Sequence, residues 1–129
     1  MQPPINAANE YTRQAVLTAS PVKLVVLMYE GALRFMEQAR VHMRRNAVAA
    51  CGQSINKAYG VVSELRLSLD AEAAGPAGRP IAQGLERLYN YVLDEPVNAN
   101  VERSEARLDH AVAVMRTLKE GWDGVVRAA

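Results

Sequence analysis

The sequence predicts an all-α fold, an antiparallel up-down four-helix bundle with a short labile N-terminal helix or lid. Three observations carry that expectation. Apolar residues recur at steps of three and four over four long segments, as in helices that each bury one stripe. No segment alternates apolar and polar residues for long enough to form a strand. Half the residues are hydrophobic and 22% are charged, the balance of a folded globular chain. With 129 residues the chain is expected to form one domain, 1–129, with a lid segment at 1–17 and the bundle at 18–127.

The first segment, around Ile5 to Leu17, is short and rich in Asn and Ala, and helices of that length are marginal in water unless docked. The second opens in "TASPVKLVVLMYEGALRF". Ser20 stands where a cap is needed, and Pro21 occupies the first helical position. The segment runs to about Arg45, ending in "RRN", where cations suit the helix C-terminus. Leu24, Val25, Met28, Ala32, Phe35 and Met36 form one apolar face. Val22, Val26, Tyr29 and Leu33 form a second beside it. Together they span an arc of roughly 200°, about twice the stripe a bundle helix needs. Past Met36 the second face turns charged at Glu37, Arg40 and Arg44. Two explanations stand side by side: the helix is covered by two neighbours, or the second face receives an amphipathic helix from a partner.

The third segment covers roughly Ala47 to Ala71, with the stripe Cys51, Ile55, Ala58, Val62, Leu65 and Leu69. Its alternating steps of four and three suit near-antiparallel bundle packing. "AEAAGPAGRP" reads as a loop, since Gly and Pro punctuate it repeatedly. The fourth helix follows Pro80 with the stripe Ile81, Leu85, Leu88 and Val92, and is expected to weaken at Pro96. The last begins near Ser104 as its cap, with the stripe Leu108, Ala111, Val112, Met115, Leu118, Trp122 and Val126. Tyr59 lies off the stripe of its helix, and Tyr89 and Tyr91 flank theirs. Tyrosine, apolar in body and polar at its tip, is favoured at groove edges and interfaces.

The same residues argue against several classes of function. A net charge of +1 with interspersed acids and bases does not predict nucleic-acid binding or attraction to an anionic membrane. No apolar run approaches the ~18 residues of a membrane span, and "MQPPINAANE" has no signal-peptide pattern, so a cytoplasmic protein without membrane insertion is expected. The single Cys51 allows no internal disulfide or thiolate zinc site, and its place on an apolar stripe suits a packed thiol. Di-iron bundles need Glu-x-x-His pairs, but Ala39 and Arg107 stand three residues before His42 and His110. The serines form no nucleophile elbow, and "GPAG" lacks the lysine of a phosphate loop. No catalytic residue, metal or cofactor is expected, and the protein is not read as an enzyme. Two alternatives of other classes remain: a histidine phosphotransfer module using His42 or His110, and a structural bundle that self-associates through the second face.

Read together, "YTRQAVLTASPVKLVVLMYEGALRFMEQA" (Tyr11 to Ala39), "KAYGVVSELRLSLD" (Lys57 to Asp70) and "LYNYV" (Leu88 to Val92) resemble the pattern of the flagellar secretion chaperone family, FliS. "ANV" at Ala99 to Val101 and Trp122 also fit. The resemblance covers about residues 11 to 124. It implies a cytoplasmic chaperone that binds the C-terminal helical segment of flagellin, prevents premature polymerisation and supports flagellar type III secretion without nucleotide. Export-gate components of the secretion apparatus are further partners it suggests, and a monomer or weak dimer is expected. By position it implies Tyr11 and Val16 as lid or contact residues, and Val22, Val26, Tyr29 and Leu33 as groove wall. Lys23 and Pro96 depart from the family pattern, the second where the fourth helix of the family continues with an apolar residue.

Overall fold

The structure, a computed structural model, describes residues 20–69 and 75–128. It contains four helices, α1 (Pro21–Arg44), α2 (Val48–Leu67), α3 (Gly75–Glu102) and α4 (Glu105–Ala128), and no strand among the described residues. Helix α1 packs on α2 and α4, and α3 packs on the same two, so every helix has two neighbours around one core. The lid segment at 1–17, with Tyr11 and Val16, lies outside the described residues.

Local chemistry sets the helix ends. The Lys23 amide donates to Ser20 Oγ at 3.2 Å, capping α1, and Pro21 opens the helix where its missing N–H costs nothing. The Arg107 amide donates to Ser104 Oγ at 3.3 Å, so Ser104 caps α4. Between helices the chain reverses through left-handed residues, Asn46 (φ 56°) and Arg103 (φ 55°). Asn tolerates that conformation; a β-carbon-bearing Arg pays for it.

Three boundaries differ from the periodicity reading, the first being that α2 ends at Leu67 with Ser68 as its cap and Leu69 outside the helix. Helix α3 starts at Gly75, so the second half of "AEAAGPAGRP" is helical, and both Pro80 and Pro96 lie within the helix. An interior proline costs about 3 kcal/mol by deleting one backbone hydrogen bond and crowding the preceding turn. At Pro96 tertiary packing outweighs it: the ring is buried where α1, α2 and α3 meet, beside Met36, Ile55, Ala58 and Leu93. The helix therefore continues to Glu102 instead of stopping early.

The core is one contiguous cluster that includes Tyr29, Met36, Met43, Cys51, Ile55, Val62, Leu65, Tyr89, Val92, Leu108 and Met115. The seam between α1 and α4 carries ion pairs as well. Arg44 pairs with Glu105, Arg40 with Asp109 (2.7 Å), Glu37 with Arg116 (2.7 Å) and Glu30 with Lys119 (3.9 Å). The rising numbers on α4 match falling numbers on α1, which fixes an antiparallel register. The Arg44 guanidinium donates to Glu105 and holds that carboxyl below its ordinary pKa.

Candidate functional site

The register of that seam explains the second apolar face of α1. Glu37, Arg40 and Arg44 continue this face downward and meet α4, so the apolar half above them also runs along α4. Tyr29 is fully buried at 0% exposure and Val26 is nearly so at 7%. Val22 and Leu33 are half-buried. Tyr29 and Val26 are thus closed off, while Val22 and Leu33 stay partly exposed. Tyr29 is a core residue that offers a partner no surface, because α3 and α4 close over it; Val26 offers almost none.

Tyr29 is instead the hub of a buried polar cluster. Its hydroxyl lies 2.5 Å from the Tyr89 hydroxyl of α3 and accepts a hydrogen bond from Trp122 Nε1 of α4 at 3.3 Å. The two phenol rings are tilted at 49° with centroids 6.3 Å apart. Burial pushes both phenols above their ordinary pKa, since an apolar surround disfavours phenolate. The cluster is neutral at physiological pH and has no acid–base role there. It ties three helices together at one level.

Surplus apolar surface lies elsewhere, between α3 and α4. Leu88 faces Ala113, Val114, Thr117 and Leu118 across a shallow open cleft of about 270 Å³. On the helical wheel Ile81, Leu85 and Leu88 share an arc of ~60° on α3, with Tyr91 beside them. Val114, Leu118 and Val125 share ~40° on α4. Ile81 is 68% exposed, Val125 48%, and Leu88 and Tyr91 about 40%. Antiparallel pairing at Leu88 and Leu118 brings Ile81 level with Val125 two turns further on. From Ile81 to Tyr91 the strip is roughly 15 Å long at 1.5 Å per residue. Its lower end is polar. Arg107 pairs there with Glu102 (3.3 Å) and Glu95 (3.9 Å), and burial together with Glu95 raises the pKa of the Tyr91 phenol. Apolar floor, apolar rims and a charged stop make a groove suited to about three turns of an amphipathic helix.

Periodicity alone assigned Ile81, Leu85, Leu88 and Val92 to the core. The buried row of α3 is Ala82, Tyr89, Val92, Leu93, Pro96 and Ala99, which leaves Ile81 and Leu88 outside. The signal was present: α3 carries two adjacent apolar rows, the same surplus that marked α1. His42 is half-buried and His110 exposed, and neither joins a cluster that could hold a metal; among the described residues no such cluster occurs. Among those residues no helix is long and apolar enough to cross a membrane. Cys51 is buried, with its thiol 3.5 Å from the Ala39 carbonyl and from Asn100 Oδ1, and burial raises its pKa.

The described residues thus form a four-helix bundle with an open apolar groove between α3 and α4. Comparison with known proteins gives the family. Residues 4–129 match the model of the flagellar protein FliS. The flagellar secretion chaperone FliSB of Pseudomonas aeruginosa is 36% identical over 110 residues, covering 85% of this chain and 84% of that one. The FliS chaperone of Vibrio cholerae is 28% identical over 107 residues, covering 83% and 76%. A crystal structure of a bacterial flagellar chaperone superimposes with a TM-score of 0.74 at 19% identity, covering 98% of this chain and 100% of that one, and so shares the fold. The chain belongs to the FliS family of flagellar secretion chaperones.

Proposed function

We propose that this protein is a cytoplasmic export chaperone that holds the C-terminal helical segment of flagellin in the groove between α3 and α4. The observation that carries the reading is the contiguous strip Ile81, Leu85, Leu88 and Tyr91 opposite Val114, Leu118 and Val125, with an open cleft between Leu88 and Leu118. Flagellin segments that pack as helices in a filament bury an apolar stripe there. Seating the same stripe against the chaperone blocks polymerisation by occupancy, with no nucleotide and no catalytic step. The segment is disordered beforehand, and ordering it costs about 2–5 kcal/mol of the gross interaction. One short groove supplies limited area against that cost, so a longer footprint is needed. Val97 and Val101, exposed on the other flank of α3, and the half-buried Val22 and Leu33 of α1 extend it. Tyr11 and Val16 act as the lid or as additional contacts, and delivery involves export-gate components of the flagellar apparatus.

Titration calorimetry of the intact protein with flagellin, and with flagellin truncated before its C-terminal segment, tests the reading. Binding with a negative heat-capacity change is expected for the full protein and none for the truncated one. Equal binding of both would overturn the assignment of the client segment.

A further inference from the structure

The upper half of α4 differs from the lower half in a way its packing does not require. From Leu108 to Met115 the helix buries Leu108, Ala111, Val112 and Met115, and ion pairs fasten it to α1. Beyond Met115 no described residue of α4 is fully buried. Leu118, Trp122 and Val126 are half-buried, and Val125 is half-exposed. Two glycines fall in this stretch, Gly121 and Gly124. A methyl group at Gly121 would meet nothing within 4 Å, and one at Gly124 would meet only the Arg127 side chain at 3.9 Å. Neither has a positive φ. Alanine would fit both positions and favour the helix, so both glycines weaken the end of α4 without a steric reason.

The register set by Arg40–Asp109 and Glu30–Lys119, continued upward, places residues 123–127 alongside Val26 and Val22 of α1. Val26, at 7% exposure, lies outside the contiguous core cluster. Among the described residues the polar connections of this end are Trp122 Nε1 to the Tyr29 hydroxyl and Asp123 to Lys119 at 2.8 Å, one turn back on the same helix. Lys119 in turn faces Glu30 of α1.

We propose that the last two turns of α4, Gly121–Ala128, are a flap that unwinds from Gly121 onward, is latched by Trp122 on Tyr29, and on opening uncovers the Val22–Val26 face of α1. Resting on the flagellin reading above, the opened face lengthens the client footprint. The Val125 rim of the α3–α4 groove moves with the flap, so client seating and flap opening are coupled. In that coupling a client pays for opening, and its apparent dissociation constant scales inversely with the open fraction.

Hydrogen exchange on the intact protein tests the flap without any client. Amides 122–128 are expected to exchange through one shared opening, distinct from global unfolding. Gly121→Ala and Gly124→Ala are each expected to slow that exchange about four- to fivefold, and about 20-fold together, the helix-propensity difference of roughly 1 kcal/mol per glycine. Acrylamide quenching of Trp122, the one tryptophan of the chain, should fall in parallel. Protection that decays residue by residue toward the terminus, or that ignores both alanines, would overturn the flap. The coupling is read from flagellin affinity: Gly124→Ala should weaken it by the factor by which exchange slows, and unchanged affinity would overturn the gating role. If wild-type protein binds no flagellin while the exchange behaves as stated, the flap stands and the flagellin reading falls.

Discussion

Removing the Tyr29 hydroxyl should cost more than removing that of Tyr89, although the two form the same hydrogen bond. Tyr29 is the hub: it accepts from Trp122 Nε1 at 3.3 Å and is hydrogen-bonded to the Tyr89 hydroxyl at 2.5 Å. Tyr29→Phe takes away the 2.5 Å partner of the fully buried Tyr89 hydroxyl and the 3.3 Å acceptor of the half-buried indole N–H, leaving only the weaker approach of Trp122 to Tyr89. An orphaned buried polar group costs about 1–3 kcal/mol, and the indole, within reach of water, falls at the low end. The total is about 2–4 kcal/mol. Tyr89→Phe leaves Tyr29 still accepting from Trp122 and should cost only ~1 kcal/mol, the net value of one hydrogen bond. The double variant removes both halves of the short bond, so it should be less destabilised than the sum of the singles, with a coupling of about 1 kcal/mol. Urea unfolding followed by far-UV circular dichroism measures all three without relying on the tryptophan. A Tyr29→Phe cost equal to or below that of Tyr89→Phe, or additivity in the double variant, would refute the hub.

Tyr29 and Tyr89 have pKa values raised in the folded state, so their contribution is intact below the ordinary phenol pKa of ~10 and is lost as pH rises above it, when the unfolded chain ionises first. Stability should therefore fall above pH ~10, less so in Tyr89→Phe, and phenolate absorbance from the buried pair should appear only with unfolding. Arg103 adopts φ 55° between α3 and α4, and Arg103→Gly should stabilise the protein by about 0.5–1 kcal/mol in urea unfolding despite losing the Arg103–Asn100 hydrogen bond. The Cys51 thiol, buried and raised in pKa, should react with a thiol reagent at the rate of global or local unfolding rather than at the rate of a free thiol.

The bundle was legible because its elements are long and strongly periodic, and Ser20, Pro21 and Ser104 mark helix starts by local chemistry that tertiary packing does not override. The groove was less legible. Periodicity says which residues of a helix are apolar and not which neighbour covers them. On α1 the second face looked like surplus, yet complementary charges were already spaced for cover: Glu37, Arg40 and Arg44 meet Arg116, Asp109 and Glu105 in antiparallel order. On α3 the row Ile81, Leu85, Leu88 and Val92 and the row Ala82, Tyr89, Leu93 and Pro96 lie side by side. Only packing decides which one goes inside. Pro96 misled for the same reason, since its cost is local and its compensation comes from residues distant in sequence.

The central claim is that the α3–α4 groove holds the flagellin segment, and one substitution tests it most directly. Leu88 is 39% exposed at the centre of the strip, so Leu88→Glu should leave the fold intact by circular dichroism. It places a charge against the apolar stripe of the client, and titration calorimetry with intact flagellin should show affinity reduced at least ~10-fold, or about 1.4 kcal/mol. Val41→Glu, equally exposed on the outer face of α1 among Arg34, Glu37, Gln38 and His42, should bind like wild type. A folded Leu88→Glu variant that binds flagellin as tightly as the wild type would contradict the account.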